Sequence, residues 1–141
     1  MITRAEIRRI PELHKSILRD KEYLIFLREK ATAIPSTLPD HERVQTSPSG
    51  GGNRYVEAAI DLNKDIQRKE LLLSELKAKA LEYIESLPDE TETEHLIRKV
   101  LRYRYLECYT WEETAELLGY YERHIRRLEY QAVSQIEKDL P

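Results

Sequence analysis

Apolar residues recur at Ile10, Leu13, Ile17, Leu24, Leu27 and Ala31, in alternating steps of three and four. This is the spacing of one narrow helix face. It predicts a helix from Thr3 to about Thr32, opened by Thr3 and Glu6 at capping-box spacing. Pro11 is expected to end a short first turn or to kink the helix, because proline lacks the N–H and clashes with the preceding turn. The same spacing returns from Arg54 to Leu87 through Ala59, Leu62, Ile66, Leu73, Leu76, Ala80, Tyr83 and Leu87. Each seam has one charged slot, Asp20 in the first and Lys69 in the second.

Between the seams, "AIPSTLPDHERVQTSPSGGGN" holds three of the six prolines and a Gly-Gly-Gly run, which predicts a loop over 34–53. Seams this narrow suit a coiled coil better than the face of a globular core helix. The expected arrangement is an antiparallel helical pair within residues 1–88. A pairing between two chains, giving a homodimer through these helices, fits the same pattern. In the hairpin, Asp20 and Lys69 come within about one helical turn of each other. Paired, they offset each other's burial and fix the register; the alternative is that each reaches solvent separately.

Pro88 closes the second seam, and Asp89, Glu90, Glu92 and Glu94 suit the first turn of a new helix. A C-terminal domain is therefore expected over 89–141, built from three short helices. The first turns Leu96, Ile97, Val100, Leu101 and Tyr105 inward. The second starts at Thr110, with Glu113 completing a capping box, and buries Trp111, Ala115 and Leu118 before a turn at Gly119. The third, over 122–137, turns Ile125, Leu128, Ala132 and Ile136 inward. The fold class expected is all-α, with a helix-turn-helix at the C-terminal end.

Composition agrees with an all-helical chain, since 35% of residues are charged and glycine and proline are mostly confined to one stretch. A lone cysteine, Cys108, excludes an internal disulfide and points to a reducing, cytoplasmic setting. Neither a signal-peptide core nor an apolar run of membrane-spanning length is apparent, so no membrane partner is expected. The balance of 23 Lys+Arg against 26 Asp+Glu argues mildly against nucleic acid, unless the basic residues are clustered.

They are clustered. At about 100° per residue, Arg123, Arg127, Tyr130 and Ser134 lie opposite Ile125, Leu128 and Ala132, with Arg126 on the flank. The first helix adds Arg98, Lys99, Arg102 and Arg104. An outward stripe of Arg, Arg and Tyr near the start of a helix suits a major groove, where a guanidinium fork meets the O6 and N7 edge of guanine. The expected DNA-binding residues are Arg123 and Arg127 on bases, with Arg126 and the Thr110 end of the second helix on phosphates. Tyr130 on the same stripe, with His124 and Tyr121 beside it, completes the expected DNA-binding set. Tyr120 is expected to pack the turn.

The stretch "VLRYRYLECYTWEETAELLGYYERHIRRLEYQAV" closely resembles region 4 of sigma-70-type factors. Val100, Leu101, Arg102 and Tyr103 match that family's first-helix run. Thr110, Glu112, Glu113, Ala115, Leu118 and Gly119 match its second helix and turn. Arg126, Glu129 and Ala132 match the "R-x-x-E-x-x-A" of its reading helix, and Ile125 and Leu128 match its buried positions. The resemblance implies promoter DNA as ligand and RNA polymerase as a partner. Tyr121-Glu122-Arg123-His124 stands where the family commonly has Thr-Arg-Glu-Arg, and Arg127 where glutamine is frequent, which implies a site other than the −35 consensus. The whole layout resembles small phage and prophage regulators of the ArpU and RinA type, implying a phage-encoded transcriptional regulator.

No catalytic role, cofactor or metal is expected. "SPSGGGNR" lacks the Gly-Lys-Ser/Thr of a phosphate loop, the four histidines have no ligand spacing with Cys108, and no carboxylate pair suggests acid-base work. Two other functions fit a helix-turn-helix joined to oligomerising helices: a phage small-terminase-like packaging component, and an RNA-polymerase-docking module that does not read DNA.

Overall fold

The computed structural model describes residues 1–33 and 51–136, and of residues 33 and 51–53 the backbone alone. The described residues form helices α1 (Arg4–Ala33), α2 (Gly51–Ser86), α3 (Glu92–Leu101), α4 (Trp111–Leu118) and α5 (Glu122–Ser134), with a π-helical turn at Arg102–Leu106 following α3. No strand occurs among them, and none of their helices is long and apolar enough to cross a membrane. The fold class is all-α.

Three capping boxes start helices. Thr3 and Glu6 exchange side-chain and backbone bonds at 3.0 and 3.1 Å, and Thr110 with Glu113 does so at 2.9 and 3.1 Å. A third box, Thr91 with Glu94, opens α3 within the acidic stretch expected to hold its first turn. Each satisfies two N–H groups that the first turn would leave orphaned, and losing one costs about 1 kcal/mol.

Several expectations are corrected. Helix α1 continues through Pro11 instead of ending there. The proline costs about 3 kcal/mol, but Ile7, Ile10 and Leu13 around it are buried, and each contributes about 1.5–3 kcal/mol. Helix α2 begins at Gly51, inside the loop expected over 34–53; residues 34–50 lie outside the described residues. Helix α5 ends at Ser134, short of 137: the Gln135 and Ile136 N–H groups close a tighter turn on the Ala132 and Val133 carbonyls at 3.2 and 3.1 Å, and Ile136 stays buried as expected. Trp111 and Leu118 are half-buried against the core and not enclosed by it.

The chain divides into two compact units, Lys15–Leu71 and Met1–His14 with Leu72–Pro141. This differs from a break at residue 88. The first fourteen residues and the end of α2 are joined to the C-terminal helices by bonds of their own. Arg4 Nε donates to the Ile136 carbonyl and Arg4 Nη2 to the Ser134 carbonyl, both at 2.7 Å, which caps the end of α5. Tyr83 donates its hydroxyl to the Ala132 carbonyl at 2.8 Å. Ile2, Ile7 and Ile84, none of them on the seams read from sequence, are buried in this unit.

In the unit Lys15–Leu71, Ile17, Leu24, Leu27 and Ile66 are buried. The two charged slots of the seams pair: Lys69 Nζ lies 2.7 Å from Asp20 Oδ2 and donates to Ser16 Oγ at 2.6 Å. Lys21 meets Glu70 at 3.2 Å on the surface.

Candidate nucleic-acid interface

The C-terminal helices pack around Val100, Ala115 and Ile125, with Leu96, Trp111 and Leu118 against them. Helix α4 ends at Gly119, whose φ of 75° lies in the left-handed region that glycine enters without a Cβ penalty. Its N–H closes the helix on the Ala115 carbonyl at 2.9 Å. Tyr121 then starts α5, which packs against both α3 and α4.

Helix α5 is sharply two-faced. Ile125, Leu128, Glu129, Ala132 and Val133 are buried, whereas Arg123, Arg126, Arg127 and Tyr130 are exposed. Tyr121 is 88% exposed at the N-terminal end. Tyr121, Arg123, His124 and Arg127 line one open depression together with Glu122. The structure thus brings together four of the seven residues singled out, at the end of the helix where a groove-reading helix meets base edges.

The arginines are not equivalent. Arg127 Nη2 donates to His124 Nδ1 at 2.9 Å, and the His124 ring lies 5.3 Å from that of Tyr120. Tyr120, expected to pack the turn, is itself 48% exposed and lies tilted against the His124 ring. Arg126 is held from two sides. Its Nε and Nη2 donate to Glu122 Oε1 at 2.9 and 2.7 Å, and its guanidinium sits 4.9 Å from the Trp111 ring centre. Arg123 has neither tether. Tyr130 lies farther along α5, 65% exposed beside a separate cleft with Leu87, Pro88 and Ile97.

Thr110 is occupied as the N-cap of α4, its hydroxyl accepting from the Glu113 N–H. The basic cluster expected from α3 and the following turn is smaller than its residue count. Arg104 is half-buried, its guanidinium 4.1 Å from the Trp111 ring centre, and it donates to the Tyr109 carbonyl. Its Nε is buried with no hydrogen-bond partner. Burial favours the uncharged form, so its pKa falls below the usual arginine value. Arg98 pairs with Asp89 at 3.0 Å, leaving Lys99 exposed and Arg102 half-exposed.

Two features of this region escaped the sequence reading. Glu122 lies one helical turn before Arg126, the acid-before-base spacing that favours an ion pair along a helix, so this tether was readable. Glu129 is 4% exposed and accepts a 2.6 Å hydrogen bond from Tyr105. A buried carboxylate on an otherwise apolar face leaves no such mark in the hydrophobic pattern. Among the described residues, no group of His, Cys, Asp and Glu is placed to hold a metal ion.

No family profile matches this chain, and no curated protein or solved structure matches it either.

Proposed function

We propose that this protein is a sequence-specific DNA-binding transcriptional regulator. In this reading α4, Gly119 and α5 act as a helix-turn-helix of sigma region 4 type, and α5 enters the major groove. The observation that carries it is the polarity of α5: Arg123 and Arg127 project from the face opposite the buried Ile125 and Leu128, beside an exposed Tyr121. A guanidinium in that position makes two hydrogen bonds to guanine, each good pair giving about 1–3 kcal/mol of discrimination. Arg126, tied to Glu122 and Trp111, serves phosphate contact and packing instead of base reading.

The resemblance of residues 100–133 to sigma region 4 supports the same reading and adds RNA polymerase as a partner. We read α1 and α2 as an antiparallel pair, supported by the fall of the α2 partner from Lys79 for Glu6 to Lys69 for Asp20. A phage or prophage promoter is the setting that the layout favours. The protein acts by binding and not by catalysis.

Selection of binding sites from random duplex DNA, with the wild-type chain and with Arg123→Ala/Arg127→Ala, tests the proposal. A defined motif that the double variant no longer selects is expected. A motif that the variant still selects would remove α5 as the reading helix. No motif at all would favour the packaging or polymerase-docking functions.

A further inference from the structure

Among its described residues, the unit Lys15–Leu71 exposes more large apolar side chains than it buries. Against the buried Ile17, Leu24, Leu27 and Ile66 stand the exposed Leu18, Tyr23, Ile25, Phe26, Val56, Ile60 and Leu71. Single exposed apolar residues are ordinary, whereas a contiguous set marks an interaction surface.

Five of the seven share one face. On α1, Leu18, Lys21, Ile25 and Arg28 follow in steps of three and four, which makes them one row. Lys21 reaches across to Glu70, the neighbour of Leu71. Arg28 lines a shallow depression with Val56 and Ile60 of α2. Ile60 and Leu71 are eleven residues apart and therefore within about 20° of each other around the α2 axis. The row of α1 and the row of α2 thus lie side by side, and their apolar members are between 45% (Val56) and 64% (Leu71) exposed. Tyr23 and Phe26 stack on each other with Lys30 over the Phe26 ring. They lie about 80–160° around α1 from Leu18 and Ile25 and do not join this face.

We infer that this face is where a second copy of the chain docks, two helical layers closing into a four-helix bundle. The size fits: the five side chains expose on the order of 400–500 Å² of apolar surface, while a stable interface takes about 800 Å² per partner, some two-thirds of it apolar in homodimers. The rim fits as well. Cations (Lys21, Arg28) and anions (Glu22, Glu29, Glu70) both border the patch, so it offers no single-sign field to select an oppositely charged partner. A mixed rim is compatible with its own twofold copy, and two-helix layers with one apolar face reach independent stability by such pairing. The inference does not rest on DNA reading, because none of these residues belongs to the unit that carries α5.

Light scattering and sedimentation of the full chain over a wide concentration range test it. Wild-type protein is expected at twice the chain's 16.7 kDa. Ile25→Glu/Ile60→Glu is expected to raise the dimer dissociation constant roughly a hundredfold or more, with helical circular dichroism unchanged because both sites are exposed in the single chain. The milder Ile60→Asn should weaken the dimer in the same direction. Tyr23→Ser/Phe26→Ser, on the other flank, should leave it intact. A wild-type monomer, a ring of many copies, or a dimer indifferent to the Ile25 and Ile60 changes would each overturn the inference.

Discussion

Tyr105 donates its hydroxyl to Glu129 Oε1 across 2.6 Å, joining the π-helical turn to the inner face of the exposed-arginine helix. Glu129 sits among Ile125, Leu128, Ala132 and Val133, where an unpaired carboxylate would be costly. Tyr105→Phe removes the donor and leaves the acceptor buried. We expect about 1–3 kcal/mol of destabilisation in urea unfolding. The double change Tyr105→Phe/Glu129→Leu should recover much of that loss, since replacing both partners with apolar groups leaves nothing unsatisfied. No recovery in the double variant would show that Glu129 contributes in some way other than through this bond.

The same phenol predicts an alkaline limit. Burial, reinforced by the nearby Glu129 carboxylate and its hydrogen bond, pushes the Tyr105 pKa well above the ordinary 10.0. Burial also raises Tyr83. The folded chain holds these protons more tightly than the unfolded one. Their contribution is therefore fully present below about pH 10 and is lost as pH rises through the raised folded values. Thermal unfolding across this range should show the melting temperature falling above pH 10, and more gently in Tyr105→Phe.

Glu122 and Arg127 predict opposite effects on DNA. Glu122→Gln releases Arg126 from its two bonds to the carboxylate. Affinity should rise for every sequence, because a carboxylate beside the phosphates is removed and Arg126 is freed to meet them, and the gain should shrink as salt is raised. Arg127→Ala should instead cost about 1–3 kcal/mol on the preferred site and relax preference at one base pair. Equal loss on all sequences would assign Arg127 to the backbone.

Cys108 has a φ of 57°, in the left-handed region, as the only non-glycine residue there among those described. The Tyr109 N–H closes on the Tyr103 carbonyl around it at 2.8 Å, and the Glu107 N–H closes on Arg102 at 3.0 Å. A β-branched side chain is poorly suited to that conformation. Cys108→Val should destabilise by about 1–2 kcal/mol, whereas Cys108→Gly should stay within about 0.5 kcal/mol of wild type, losing a half-buried thiol but relieving the backbone. Chemical denaturation of the two variants checks the order.

The helices were legible where one face met one partner. Ile17, Leu24, Leu27 and Ile66 followed the seams and are buried, and the Asp20–Lys69 pair was readable as two charged slots in register. Ile7 and Ile84 lie off the seams, because near the start of α1 and the end of α2 the helices are enclosed on more than one side. A single periodic stripe does not report that. The exposed arginine stripe was legible from helical spacing, but spacing says nothing of which arginine is tethered. The burial of Arg104 over Trp111 was hidden for a related reason: a long aliphatic stem lets a charged residue cover apolar surface while its letter still reads as solvent-facing.

The bonds from Arg4 to the carbonyls of Ser134 and Ile136 span 130 and 132 positions of sequence. During synthesis, Met1–His14 leaves the ribosome long before the residues it must cap. Lys15–Leu71, by contrast, is a continuous stretch. The chain is thus arranged so that its helical middle can form early, while the unit bearing the arginines stays open until Ser134 and Ile136 arrive. Contacts this distant in sequence form late and slowly, so the arginine-bearing unit is completed only after Ser134 and Ile136 have been made.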